Sequence, residues 1–349
     1  MTGESAPPSA APVASRLDQG QSKPKFLSQT PLPVLQGLPL YALIDPFLGE
    51  PHLLAGASTS ATDLDDLQAA RRSAWKRAVW VARDPSPRVE ADRMPYVVQL
   101  EGADDPLVEL LVQGAAMEAQ QASETSIGKL GIGALIETPL DGQRLMQRIE
   151  QMTTVMVRGR PRYLRLADPR VFELLVHLLS ARHLAEWLGP VGRWHLRLRN
   201  GTWGCCLGLA DDAFLSTEAE LYGRRQRVEE LLTKPARLLL SVEQEARLLD
   251  GEAVSLTLAV LQRELADVPD HAHEAAWTAC EQAAAVGLTD LNDRVSYAWR
   301  AALGRPVNGT TRGREAIDAA KRNPGSLEER LWELDADSQQ GTSSDDARA

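Results

Sequence analysis

The chain has 349 residues and a formal net charge of −10, from 38 basic and 48 acidic side chains, and 44% of it is apolar. That length makes about two domains, the apolar fraction excludes global disorder, and the acidic balance argues against a generic nucleic-acid binder. Three cysteines do not make a disulfide framework, and no run approaches the roughly 18 apolar residues of a membrane-spanning helix.

Residues 1–30 place Pro7, Pro8, Pro12 and Pro24 among small polar residues, without the apolar core of a secretory signal. They read as a disordered tail on a soluble, cytoplasmic protein. Leu40–Ile44, closed by Asp45-Pro46, reads as a buried strand. A helix is predicted from Asp63 to about Arg77, and strands at Val79–Ala82 and Pro95–Leu100. Asp105-Pro106 opens a helix, with Asp as N-cap and Pro at the first helical position. An apolar strand returns at Gly131–Glu137, and this strand–helix–strand order predicts a right-handed parallel crossover.

Asp141 caps a helix over residues 142–152, and two short strands centred on Val155–Val157 and Tyr163–Leu166 flank Arg158-Gly159-Arg160. Asp168-Pro169 repeats the Asp-Pro helix start, and Ser180 caps a second helix that stops at Leu188-Gly189-Pro190. Trp194–Arg199 alternates apolar and polar residues, and Asn200-Gly201 supplies a two-residue type I′ turn. That register pairs Leu198 with Trp203 and Leu196 with Cys205, placing the large apolar groups on one face and His195, Arg197 and Arg199 on the other. From about Thr217 the pattern is helical only. Ser241–Gln244 and Ser326–Glu329 are capping-box patterns, and Gly287 and Gly304 stand where helices should end. The prediction is an α/β (α+β) lobe with a mixed sheet over residues 31–212, a helical lobe over 213–334 and an acidic disordered tail over 335–349.

Charge is unevenly spread. Residues 141–200 hold eleven arginines, no lysine and five acids, a local net charge of +6. Arginine offers a planar fork for carboxylates and phosphates that lysine lacks. Arg160, Arg162, Arg165, Arg170, Arg193, Arg197 and Arg199 are therefore candidate partner-binding residues, with a simply solvated face as the alternative.

No catalytic, cofactor-binding or metal-binding set emerges. The sequence has no phosphate-binding loop, nucleophile elbow or H-E-x-x-H motif. Gly128–Gly133 precedes a strand instead of opening a helix, so it lacks the dinucleotide-binding context. The spacings of His177, His183, His271 and His273 do not favour chelation, and Cys205 reads as a small core residue. Asp168 as a general acid would need a partner that spacing does not supply; as an N-cap it is explained.

The ordered series of motifs goes further. Leu40–Asp45 and Pro95–Glu101 are followed by Ile132–Ile136. Arg165-Leu166-Ala167-Asp168-Pro169-Arg170-Val171 comes next, and then Trp187-Leu188-Gly189-Pro190-Val191 with Trp194. Over about residues 38–200 this series resembles the type VI secretion effector chaperones, the Tap/TEC adaptor family, long catalogued as a domain of unknown function. It departs from that pattern in having Leu166-Ala167 before Asp168 and Gln147–Glu150 on the preceding helix. The resemblance implies an adaptor, not an enzyme. Its partners would be a toxic effector protein and the VgrG spike, with no cofactor, nucleic acid or membrane insertion. Asp45, Asp168, Pro169, Trp187, Gly189, Pro190 and Trp194 would be the structural motif. An immunity protein for a secreted toxin is one alternative. An enzyme that clamps a phosphorylated substrate with the Arg160–Arg170 cluster is another.

Overall fold

Strand order and packing follow from where the apolar, β-branched runs fall. In chain order the first part forms β1 (Gln29–Thr30), β2 (Leu40–Ile44), α1 (Leu64–Trp75), β3 (Val79–Val81), β4 (Tyr96–Leu100), α2 (Pro106–Glu124) and β5 (Ile132–Glu137). Then come α3 (Gly142–Met152), β6 (Thr154–Val157), β7 (Arg160–Tyr163), α4 (Pro169–Leu178), α5 (Ala181–Leu188), β8 (Arg193–Arg197) and β9 (Trp203–Leu207). Helices α6 (Arg224–Thr233), α7 (Val242–Leu249) and α8 (Gly251–Glu264) follow. The computed structural model describes residues 29–33, 35, 38–54, 63–83, 90–124, 128–209, 224–233, 236–265, 269 and 271–333. The tails expected at 1–30 and 335–349 lie outside these residues, except for Gln29 and Thr30, which pair with β9 as an edge strand.

The chain divides into two compact units, one over residues 25–268 and one built on the helices that follow residue 269. The first unit holds a seven-stranded sheet of order β1-β9-β8-β5-β2-β4-β3 and a separate β6–β7 hairpin. Every residue of β2 and β5 is buried, so the central strands are covered on both faces. This explains why they read as continuous apolar runs instead of alternating. The sequence character changes near residue 212, yet α7 and α8 belong to the sheet unit, because they pack on α4 and α8 also packs on α2.

An α+β arrangement is what forms, but every ladder is antiparallel rather than mixed. Strands β4 and β5 both pair antiparallel with β2, so they run in the same direction with β2 between them. Helix α2 thus connects two parallel strands that share no hydrogen bonds. The early strand Leu40–Ile44 takes the place that a simple crossover would close.

The hairpin register also differs from the expectation. Arg197 pairs with Trp203, His195 with Cys205 and Trp194 with Cys206. The Leu198 N–H donates to the Thr202 carbonyl, and the Gly201 N–H donates to Leu198. Gly201 has φ +84°. This is a three-residue loop, Arg199-Asn200-Gly201, with glycine in the left-handed position that such loops require. One extra loop residue shifts the pairing by one, so Trp194 and Leu196 lie on the opposite face from Trp203 and Cys205. Two faces of the hairpin are therefore buried, and Cys205 and Cys206 are both free thiols in the core. The two-residue turn falls instead at Arg158-Gly159, where both φ values are positive, 49° and 72°. This turn draws β7 back to Arg160–Tyr163, and Leu164 and Leu166 then turn inward and are buried.

Helix caps follow the sequence closely. Asp63, Asp141, Asp168 and Ser180 accept backbone N–H groups at the starts of α1, α3, α4 and α5, and Ser241 forms a capping box with Gln244. The second unit contains α9 (Ala272–Ala285), α10 (Leu291–Ala302), α11 (Thr311–Arg322) and α12 over residues 327–333. Gly287 and Gly304 close α9 and α10 with the paired backbone bonds of a Schellman end. Tyr297, Ile317, Leu327 and Leu331 are among its core residues. The start of α12 is not held by a Ser326 box. The buried Asp293 carboxylate accepts the Gly325 and Leu327 N–H groups at 2.7 and 2.8 Å, and the Ser326 hydroxyl donates to Asn323.

Candidate functional site

The motif that opens α4 is tied to the end of β2 by ion pairs. The Arg165 guanidinium donates to Asp45 at 2.6 Å, lies 3.6 Å from Asp168 and sits 4.3 Å from the Phe47 ring centroid. Arg170 forks onto Asp168 with bonds of 2.9 and 2.8 Å, and the Arg170 N–H completes the cap at 3.0 Å. Burial raises the Asp45 carboxyl to about 6 despite Arg165, and the nearby Asp168 charge adds to the rise. Burial acts upward on Asp168 as well, but the hydrogen bonds and charge of Arg170, with the charge of Arg165, hold it below the usual carboxylate range. Both carboxyls are buried, and neither lines the cleft described below. The arrangement clamps strand to helix. Gly133 completes it: a Cβ there would stand 2.2 Å from the Ala167 carbonyl oxygen, so the strand must carry glycine where the Asp-Pro turn crosses it.

The second half of the motif series builds core. Phe172 stacks on Trp194 with ring centroids 4.6 Å apart and on Trp187 at 6.3 Å, joining α4, α5 and β8. Gly189 and Pro190 are buried, and the Arg148 guanidinium donates to the Trp187 carbonyl at 2.6 Å where α5 ends. All seven structural-motif residues are buried in the sheet unit, and Pro169 also borders the cleft described below.

The seven candidate arginines do not form one surface. Arg165 and Arg170 are committed to the clamp. Arg199 is buried, 3.3 Å from Glu173, and also donates to Ser255 at 2.7 Å. Burial raises the Glu173 carboxyl to about 7 even beside Arg199, and burial lowers Arg199. Arg199 thus leaves the proposed partner surface: it is a core cation whose salt bridge sequence spacing did not reveal. Arg193 is half-buried opposite Glu137, and His195 accompanies it along the strand, its Nε2 3.0 Å from a Glu137 carboxylate oxygen. The fully buried Arg71 is a further core cation, bound to Glu50 at 2.8 Å and packed 4.1 Å over the Tyr96 ring.

Within the arginine-rich segment, side chains that make no ion pair among the described residues stand in two places. One is the β6–β7 hairpin, where Arg158, Arg160 and Arg162 are exposed beside the half-exposed Met156. The other is Arg197, half-buried at the tip of the β8–β9 hairpin, with its Nε inaccessible and unbonded. Arg197 borders a cleft of 520 Å³ between α2, the start of α4, the hairpin tip and α8.

The fold defines an α+β domain with a covered antiparallel sheet, and the clamp and aromatic stack are its structural signature. Residues 40–186, from β2 through most of α5, match the family model described as Domain of unknown function (DUF4123). Neither a curated protein nor a solved structure matches the chain. Among the described residues no helix is long and apolar enough to cross a membrane.

Proposed function

We propose that this chain is a cytoplasmic adaptor that holds a toxic effector protein and helps load it onto the VgrG spike of a type VI secretion system. The observation that carries the reading is the match of residues 40–186 to DUF4123. That segment contains most of the motif series that resembles the adaptor family. The roles of those motifs support it: Asp45, Asp168, Trp187 and Trp194 are buried and brace the sheet unit, as the frame of a binding protein needs. The reading is of a binding protein and not an enzyme.

The β6–β7 hairpin is the proposed contact for an acidic face of a partner. Its Arg158, Arg160 and Arg162 are exposed and carry no ion pair among the described residues. Such cations accelerate encounter and set orientation more than they add affinity, and their effect falls with salt. A phosphate clamp built from Arg160, Arg162, Arg165 and Arg170 has less support, since Arg165 and Arg170 already hold Asp45 and Asp168.

Co-purification of the full chain with the product of the adjacent gene, as the candidate effector, tests the proposal. A stable complex is expected. An effector that remains stable and reaches its spike in cells lacking this chain would overturn it.

A further inference from the structure

The cleft beside Arg197 combines an apolar lining with a partly buried cation. Its floor is small and apolar. Ala115, Ala119 and Ala122 come from α2 and Ala259 from α8, with Leu198 and Ile132 behind them. Alanine leaves room for another backbone to approach closely. At 520 Å³ the cleft falls within the roughly 300–1,000 Å³ of ligand sites.

The lining also includes a cation that is not neutralised among the described residues. Arg170 and Arg199 also border the cleft but are paired to Asp168 and Glu173. Arg197 has neither an ion pair nor a hydrogen bond among the described residues, and its Nε is out of reach of solvent. A partly desolvated guanidinium costs free energy unless an anion completes it. Its fork matches a carboxylate. The mainly apolar lining suits an anion carried on an aliphatic body better than free phosphate. Gln262 also borders the cleft; its Nε2 already donates to the Arg199 carbonyl at 2.7 Å, and its Oε1 can accept from a peptide N–H, a donor that an acyl chain lacks.

We propose that this cleft receives an apolar segment of a partner polypeptide, its aliphatic side chains on the alanine floor and one Asp or Glu carboxylate on Arg197. The inference rests on the adaptor reading and specifies the kind of segment the adaptor grips.

The test uses the full chain and three fluorescent dodecapeptides, capped at both ends, identical in Leu and Ala content and carrying one central Glu, Gln or Lys. Anisotropy should show binding of the Glu peptide, at least tenfold weaker binding of the Gln peptide and no binding of the Lys peptide. Arg197→Gln should erase the preference for Glu over Gln. Ala119→Trp, which fills the floor, should abolish binding of the Glu and Gln peptides. If Ala119→Trp does not fold, Arg197→Gln alone decides. Equal binding of the three peptides, no binding, or a preference that survives Arg197→Gln would overturn the proposal. So would binding that appears only after deletion of residues 211–222, a dimer that Ala119→Trp disrupts, or oleate displacing the Glu peptide. Co-purification with the product of the adjacent gene separates the two ideas. That product held equally well by wild type and by Arg197→Gln sinks the cleft and leaves the adaptor. If wild type does not hold it, the adaptor sinks, and the peptides still judge the cleft.

Discussion

Replacing Glu173 by Gln should remove a defined part of the protein's pH dependence. The Glu173 carboxyl lies in the core with Arg199, and the two side chains are each 5% exposed. Its ordinary value is 4.5, and burial raises it to about 7 in the folded chain. A folded state that binds the proton more tightly than the unfolded state gains stability from it. That stabilisation is complete below about pH 4.5 and is lost as pH rises through about 7. Moving a carboxyl over this interval corresponds to about 3 kcal/mol. Gln keeps the shape and the acceptor oxygen for the Arg199 N–H but cannot titrate. Urea denaturation followed by tryptophan fluorescence, at pH 5 and at pH 8, measures the difference. Relative to wild type, Glu173→Gln should gain on the order of 3 kcal/mol between those two pH values. Parallel stability–pH profiles for the two proteins would refute the reasoning. Asp45, raised to about 6, contributes in the same direction over a lower window and cancels in the comparison.

Asp168→Ala should destabilise by about 3 kcal/mol, because it removes the α4 cap and the partner of Arg170 together; a melting temperature unchanged from wild type would contradict the clamp. Gly133→Ala drives a methyl into the Ala167 carbonyl, so a loss of about 1–3 kcal/mol or failure to accumulate folded protein is expected. Normal folding of that variant would show that the strand and the Asp-Pro turn are not so close. The double variant Arg160→Glu, Arg162→Glu should change stability by no more than about 0.5 kcal/mol while slowing association with the effector at low salt. Association rates equal to wild type would remove the β6–β7 hairpin from the interface.

Local structure was legible wherever a single residue carries the signal. Asp105-Pro106 and Asp168-Pro169 start helices, Ser180 and Ser241 cap them, and Gly287 and Gly304 end them, as their chemistry dictates. Pairings between distant segments were not legible. Nothing near Asn200-Gly201 distinguishes a two-residue loop from a three-residue one, and that one residue decides which face Trp203 and Cys205 take. Likewise, Leu40–Ile44 reads as a strand, but no spacing rule joins it to both Tyr96–Leu100 and Ile132–Glu137, so its place between them is not legible. The arginine-rich segment shows the same limit. Its +6 charge is real, but the acids that pair it include Asp45 and Glu229, which lie outside the segment. What remains uncommitted is narrower: the β6–β7 hairpin and Arg197. The charge pattern alone singles out Arg160 and Arg162 of the hairpin. Arg197 and its cleft emerge only once α2 and α8 are placed beside them.

Under the proposed adaptor role, this chain binds a toxic effector and delivers it to the secretion spike. Affinity isolation of VgrG from cells that carry or lack this chain, followed by detection of the effector that co-purifies with the chain, tests that role. The account predicts effector on VgrG when the full chain is present and its loss when the chain is deleted, restored by re-expression. Effector loaded to the same level without the chain would contradict it.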